Sequence, residues 1–335
     1  MIGKKSIFIH AGLVATSAVL ALAVWTRDKQ AKPLVQGDVT VWSGRAADVE
    51  RIVYEGKRKR IELTAKKDAA GRYFVGSLEK EKAAPKSAPD AGADATPPEK
   101  TVTGLLSITP AEKLVEQLAP LKSVRSIGQV GADREADFGL DDPEGTLTVK
   151  IKDAERKLVI GGPTPGGGDR YARDPGTSDV FILKSDIFRY IDTPESSLLE
   201  RDLHEWKDAD VATAKITAAG KSRTIARGGP ETKRFWADDS AKDTPDETRG
   251  NWMTKVDRMR PTEFVETPPE PRETVARIDY SGAGGAIGYL EVIRGPAGDS
   301  GKPTYFVVTE RTRLHGKVPG SAGEQLEQDL SSVLR

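Results

Sequence analysis

The sequence predicts an α+β protein: an N-terminal transmembrane helix followed by two tandem, mainly antiparallel β-rich units with a few short helices. Three observations carry that prediction. They are an uncharged apolar run at residues 6–25, an internal repeat, and alternation at the strand period that outweighs helical periodicity.

The apolar run is SIFIHAGLVATSAVLALAVW. At about 1.5 Å per residue it reaches about 30 Å, the hydrocarbon thickness of a bilayer. Lys4 and Lys5 precede it, so the positive-inside rule makes residues 1–5 a cytoplasmic tip and puts the body across the membrane. A cleaved signal peptide is the competing reading, because Ala21-Leu22-Ala23 has the A-x-A pattern of a cleavage site. Val24 and Trp25 continue the run, and Trp25 suits an interfacial position, which favours an uncleaved single-pass anchor. Residues 26–37 then read as a juxtamembrane linker. His10, near one end of the span, is given no role.

The repeat pairs VWSGRAADVERIVYEGKRKRIELTAKKDAAGRYFV, near residue 40, with EWKDADVATAKITAAGKSRTIARGGPETKRFWA, near residue 205. Each runs from Trp through Ala-Asp-Val into a strand, a Gly-Lys turn, a second strand and an aromatic pair. Trp42 is set against Trp206, Asp48 against Asp210, and Tyr73-Phe74 against Phe235-Trp236. The predicted units are residues 38–200 and 205–335. Residues 79–101, EKEKAAPKSAPDAGADATPPEKT, lack large apolar side chains and read as a disordered loop inside the first unit.

Individual elements follow from local pattern. Leu147, Val149 and Ile151 alternate with Thr148 and Lys150, a half-buried strand whose hairpin partner holds Leu158 and Ile160. Thr109-Pro110-Ala111-Glu112 reads as a capping box, with Leu114, Val115, Leu118 and Leu121 on one helical stripe. Ser321 and Glu324 repeat that cap ahead of Leu326, Leu330 and Val333. Trp252, Met253 and Val256 mark a helix of the second unit.

Composition narrows function mainly by exclusion. Lys+Arg equals Asp+Glu, 51 against 51, so no global field attracts nucleic acid. Cysteine is absent, which removes disulfides and thiolate chemistry. The glycine-rich stretch 158–183 invites a nucleotide reading, but Gly166-Gly167-Gly168 leads into Asp169 and a strand-like RYAR, with no helix before Ser185. It reads as a hairpin loop, with Asp169 and Arg170 as surface positions whose removal costs little, and no nucleotide is expected. His204 and Glu205 beside Asp202 point to different faces and have no second histidine at ligand spacing. Ser196-Ser197 lacks a nucleophile-elbow context, and Asp141-Asp142 before Pro143 suits a turn. Lys57–Arg60 reads as a solvated hairpin tip. No catalytic, cofactor-binding or metal-binding residue is assigned, and no cofactor is expected.

FGLDDP (138–143), LVIGGPTPGGGDRYAR (158–173), SDVFIL (178–183) and DLHEWKDADV (202–211) resemble the bacterial domain-of-unknown-function family numbered 4340. The resemblance implies a protein anchored in the bacterial inner (cytoplasmic) membrane with a periplasmic body, encoded beside ABC transporters of the gliding-motility type. The expected function is a non-enzymatic accessory or interaction protein of such a complex, with the membrane and transporter or other envelope proteins as partners. The alternative is a cell-envelope glycan-binding protein or hydrolase using a carboxylate pair. An enzyme would place an acidic or His-bearing constellation in one unit where the other has none; a scaffold would expose an apolar patch.

Overall fold

A computed structural model describes residues 16–17, 21–22, 36–81, 99–298 and 300–335. The expected anchor, 6–25, lies outside the described residues apart from Thr16, Ser17, Ala21 and Leu22, as does His10. No helix among the described residues is long and apolar enough to cross a membrane. The remainder is α+β, with two antiparallel sheets of ten and eight strands and short helices.

The first sheet begins with β1 (Gln36–Trp42), so strand structure opens inside the predicted linker. It continues through β2 (Val49–Gly56), β3 (Lys59–Asp68), β4 (Gly71–Glu81) and β5 (Lys100–Ser107). Helix α1 (Thr109–Leu118) leads to β6 (Leu121–Gln129), β7 (Gly145–Ile151), β8 (Ala154–Pro163), β9 (Arg170–Arg173) and β10 (Asp179–Leu183). Two helices close the unit, α2 (Ser185–Asp192) and α3 (Pro194–Ser197). The second unit holds β11 (Thr213–Ala218), β12 (Lys221–Gly228), β13 (Phe235–Asp238) and α4 (Glu247–Asp257). Then come β14 (Glu263–Val265), β15 (Glu273–Gly282), β16 (Gly285–Ala297), β17 (Pro303–Thr309), β18 (His315–Val318) and α5 (Gly320–Val333).

The two sheets share one strand order. Eight neighbours of the first run β4-β3-β2-β7-β8-β9-β10-β6, and the second runs β13-β12-β11-β15-β16-β17-β18-β14. The first sheet adds β5 at one edge and β1 at the other. Register agrees as well as order. The pairs Arg51–Thr64, Ile52–Leu63 and Ala65–Phe74 are matched by Thr213–Ala226, Ala214–Ile225 and Arg227–Trp236. Val49 and Val211, each opening this part of its unit, are both buried.

One device recurs that the aromatic pairs had masked. Arg72, two residues before Phe74, donates to the carbonyls of Ala46 and Val49. Arg234, two residues before Trp236, donates to those of Asp208, Ala209 and Val211. Each guanidinium satisfies carbonyls left over at a short 3-10 turn just before the strand. The same spacing corrects one expectation: it sets Trp42 against His204, and Trp206 falls two residues later.

Other expectations change for local reasons. The predicted loop 79–101 is strand at both ends, where Glu79, Lys80 and Glu81 pair with Val102, Thr101 and Lys100; residues 82–98 lie outside the described residues. Helix α1 stops at Leu118, because Pro120 cannot continue it, and Leu121 opens β6 instead. Neither capping box forms. The α1 N-terminus takes its acceptor from Glu200, and α5 starts at Gly320 without a side-chain cap.

The glycine-rich stretch is a hairpin loop between β8 and β9. Gly166, Gly167 and Gly168 all have positive φ, and Thr164 N–H donates to Asp169 O at 2.8 Å to close the loop. Asp169 and Arg170 are not idle surface positions, however. Asp169 Oδ1 accepts from Ser185 N–H at 2.9 Å, at the start of α2. Arg170 is only 16% exposed, donates to both oxygens of Asp192, pairs with Glu144 at 3.2 Å and lies over the Phe188 ring. Replacing Arg170 with Ala should therefore cost about 1.5–3 kcal/mol, the range for hydrogen bonds to charged groups. A urea midpoint unchanged by the substitution would show those contacts to be idle.

The units meet where β5 runs along β14. A Cβ built on Gly104 would stand 2.0 Å from Phe264 O, so only glycine permits that approach. Phe264, from the second unit, is buried in the first unit's core, and Leu314 packs against the same core. Arg313 reaches back to Asp68 at the tip of the β3–β4 hairpin, with Nε–Oδ2 at 2.6 Å and Nη2–Oδ1 at 3.1 Å. The hydrogen bond from Arg313 holds the Asp68 carboxyl below the usual carboxylate range, against an opposing effect of burial. A depressed folded-state pKa gives stability that is present above about pH 4 and lost as pH falls through the depressed value. Acidification should lower the urea midpoint of the wild type more than that of Asp68→Asn. Equal slopes in the two proteins would remove this pair from the account.

A pocket in the second unit, at the join

The chain leaving α3 buries Leu198 and Leu199 in the first core and then presents Glu200, only 2% exposed. Its Oε2 accepts from Ile108 N–H at 3.1 Å and Thr109 N–H at 3.0 Å, which caps α1. Its Oε1 accepts from Arg201 and Asp202 N–H at 3.1 and 3.0 Å. Arg311, in the turn after β17, approaches Glu200 at 3.4 Å and donates to Thr109 Oγ1 at 2.8 Å. Glu200 thus ties one helix of the first unit, the connection and the second unit together.

Beyond that knot lies a pocket of about 550 Å³. Leu203, His204 and Trp206 enter it from the connection, Asp257 from the last residue of α4, Leu290 from β16 and Arg311 from the turn after β17. His204 Nδ1 lies 2.9 Å from Glu310 Oε1. The carboxylate offers only acceptors, so the proton sits on Nδ1 and Nε2 remains the ring's other, unpaired nitrogen. Glu310 is itself fixed, accepting from Tyr289 N–H at 2.9 Å. The imidazole stacks on Trp206 at 4.1 Å between centroids and meets Tyr280 edge-on at 5.2 Å. Gly288 makes room for this group. A Cβ there would stand 2.5 Å from the Glu310 carboxyl and 2.6 Å from Trp206 Nε1.

Asp257 is exposed at the pocket, yet the protein packed near its carboxyl raises the pKa, with Arg227, His204 and Arg260 pulling the other way. Tyr280 is wholly buried with its hydroxyl unpaired, and burial, then Asp257 and Glu310, push it well above the ordinary phenol value. Burial lowers the Arg227 pKa, although Asp257 nearby opposes the change. Around the mouth Arg201, Lys207, Arg260 and Arg311 face Asp202, Glu205, Asp208 and Asp257, so the lining carries no net excess. Among the described residues no group of three His, Cys, Asp or Glu could hold a metal ion.

The first unit has nothing similar at the matching place. Trp42, equivalent to His204, is buried and donates from Nε1 to Leu118 O at 2.7 Å, at the end of α1. Val149, fully buried, stands where Tyr280 stands in the second unit. An apolar plug in one unit is a polar pocket in the other.

The residues weighed in the sequence fall as follows. Glu205 turns toward Arg311 at 3.8 Å and Asp202 gives its N–H to Glu200, so His204 does not cluster with its neighbours. His204 finds Glu310 instead, 106 positions away. Ser196 and Ser197 bond back to the carbonyls of Thr193 and Arg189, as helical hydroxyls do. Asp142 pairs with Lys57 at 2.6 Å, and Lys59 and Arg60 are likewise engaged by Asp192 and Glu62. His315 faces a backbone carbonyl. Glu310, Arg311 and Asp257 carried no local signal. The one available hint was the replacement of the buried-tryptophan position by histidine within DLHEWKDADV.

Residues 110–275 match the family described as Domain of unknown function (DUF4340). Over residues 110–275 this chain carries a DUF4340 domain. The matched segment runs from α1 to the start of β15, so it includes His204, Trp206 and Asp257 but ends before Tyr280, Glu310 and Arg311. No curated protein and no solved structure matches the chain.

Proposed function

We propose that this DUF4340 protein is a non-enzymatic, membrane-anchored accessory protein of an ABC-type transport or gliding-motility-like complex. Its body lies on the extracytoplasmic side, and it recognises a ligand in the pocket of its second unit. The observation that carries a recognition role is the exchange of the Trp42–Leu118 plug for the His204, Trp206 and Asp257 pocket within one strand order. Polar groups held in a cavity that folding does not need are most simply explained by something they bind. Among the described residues the exposed large apolar side chains, Leu22, Val102 and Val124, sit on separate segments, so the pocket supports recognition better than an apolar patch does there. The residues 6–25 and the family's gene neighbourhood support the membrane and transporter parts.

A His-bearing constellation in one unit and not in the other is the pattern expected of an enzyme, and it favours a second reading. A carboxyl raised by burial, beside a histidine oriented by a carboxylate, is also the equipment of a hydrolase. The test has two arms. Affinity capture of the full chain from carbonate-washed, solubilised membranes should recover ABC-type permease or ATPase subunits, and their absence after cross-linking would end the accessory proposal. Steady release of aryl alcohol from aryl glycosides by the wild type, lost in Asp257→Asn, would establish the enzyme instead.

A further inference from the structure

We infer that the pocket of the second unit, together with a smaller cavity beside it, is a groove for a neutral, linear oligosaccharide. The inference rests on the pocket being a recognition site, and it is independent of which membrane partner the chain has. The second cavity, about 370 Å³, shares Thr109, Arg201 and Asp202 with the larger one, about 550 Å³. Two adjoining cavities with three lining residues in common accommodate a chain of several small units better than one compact ligand.

The charge pattern argues for neutrality. Four cationic and four anionic side chains line the larger cavity, and the smaller one adds Lys113 and Arg189 against Glu200, so neither a polyanion nor a polycation gains a strong net field. The guanidinium groups are largely committed inside the protein. Arg311 bonds Thr109 and approaches Glu200, and Arg260 donates to the carbonyls of Asp257 and Met259. A phosphate or carboxylate ligand would find Arg311 and the Nη1 group of Arg260 already engaged. The groups left for a ligand have mixed character. They are the Asp257 carboxyl, the unpaired nitrogen of His204 and the remaining N–H groups of Arg260, above a floor of Leu203, Val256 and Leu290. Hydroxyl groups both donate and accept, so a polyol satisfies such a set without bringing charge into a walled site.

The experiment uses the full chain in lipid nanodiscs and calorimetric titration with maltotriose, cellotriose and tri-N-acetylchitotriose. Inorganic phosphate and tetralysine serve as charged comparators. At least one trisaccharide should bind saturably and change tryptophan fluorescence, a change that Trp206→Phe abolishes. Asp257→Asn and Arg260→Gln, each checked for an unaltered thermal midpoint, should weaken binding about tenfold or more, as expected for lost hydrogen bonds to charged groups. The inference is overturned if no trisaccharide binds, if both variants bind as tightly as wild type, or if phosphate or tetralysine binds in a variant-sensitive way. Transporter subunits recovered with a chain that binds none of the trisaccharides would sink this inference alone. Trisaccharide binding without those subunits would sink only the accessory proposal.

Discussion

Glu200→Ala is expected to destabilise the protein by about 3–5 kcal/mol, the range for removing one partner of a buried charge pair. The carboxylate is 2% exposed and accepts four backbone N–H groups, two of them at the α1 N-terminus. Alanine leaves those donors without acceptors, and it leaves the Arg311 guanidinium, 10% exposed, with only the more distant Glu205 at 3.8 Å. Glu200→Gln should fall in between, since an amide keeps one acceptor oxygen and turns N–H groups toward donors on the other side. The loss should appear in both units, because Glu200 joins α1 to the turn that carries Arg311. Urea denaturation gives the magnitude, and hydrogen exchange at Ile108, Thr109 and Arg311 gives the distribution. A loss below about 1 kcal/mol would place the knot among ordinary surface contacts.

Trp42→Ala should cost a similar amount, about 3–5 kcal/mol, because it empties a buried site and orphans Leu118 O. Trp206→Ala should cost distinctly less. Trp206 is partly exposed at the pocket, and its Nε1 has no hydrogen-bond partner to lose. The two losses should add, the sites lying in different cores. Equal losses at Trp42 and Trp206 would mean that both places are plugs, and the distinction on which the proposed binding role of the second unit rests would disappear.

Much of this architecture is written locally. The alternation of Leu147, Val149 and Ile151 with polar residues dictates a half-buried strand, because side chains alternate across a sheet. Gly166–Gly168 dictate a loop because three successive positive φ values suit no other residue so well. The repeat was legible because the same short turn, arginine clamp and strand register are specified by residues close together in each copy, such as Arg72 and Phe74 or Arg234 and Trp236.

What failed to show in the sequence was decided at a distance. The caps on α1 and α5 were misread because a capping box is only an available local bond, and at α1 Glu200, some ninety residues away, supplies a better acceptor. Arg170 read as surface because nothing beside it in the chain reveals Phe188, Asp192 and Glu144. The pocket is the extreme case. His204, Asp257, Tyr280, Leu290 and Glu310 lie on five different segments, and no spacing rule connects them. By itself the sequence determined an α+β chain with two like units and a candidate anchor, since period and composition act over a few residues. Only the tertiary structure decided that one unit is plugged and the other open, because burial and charge pairing depend on what the fold brings into contact.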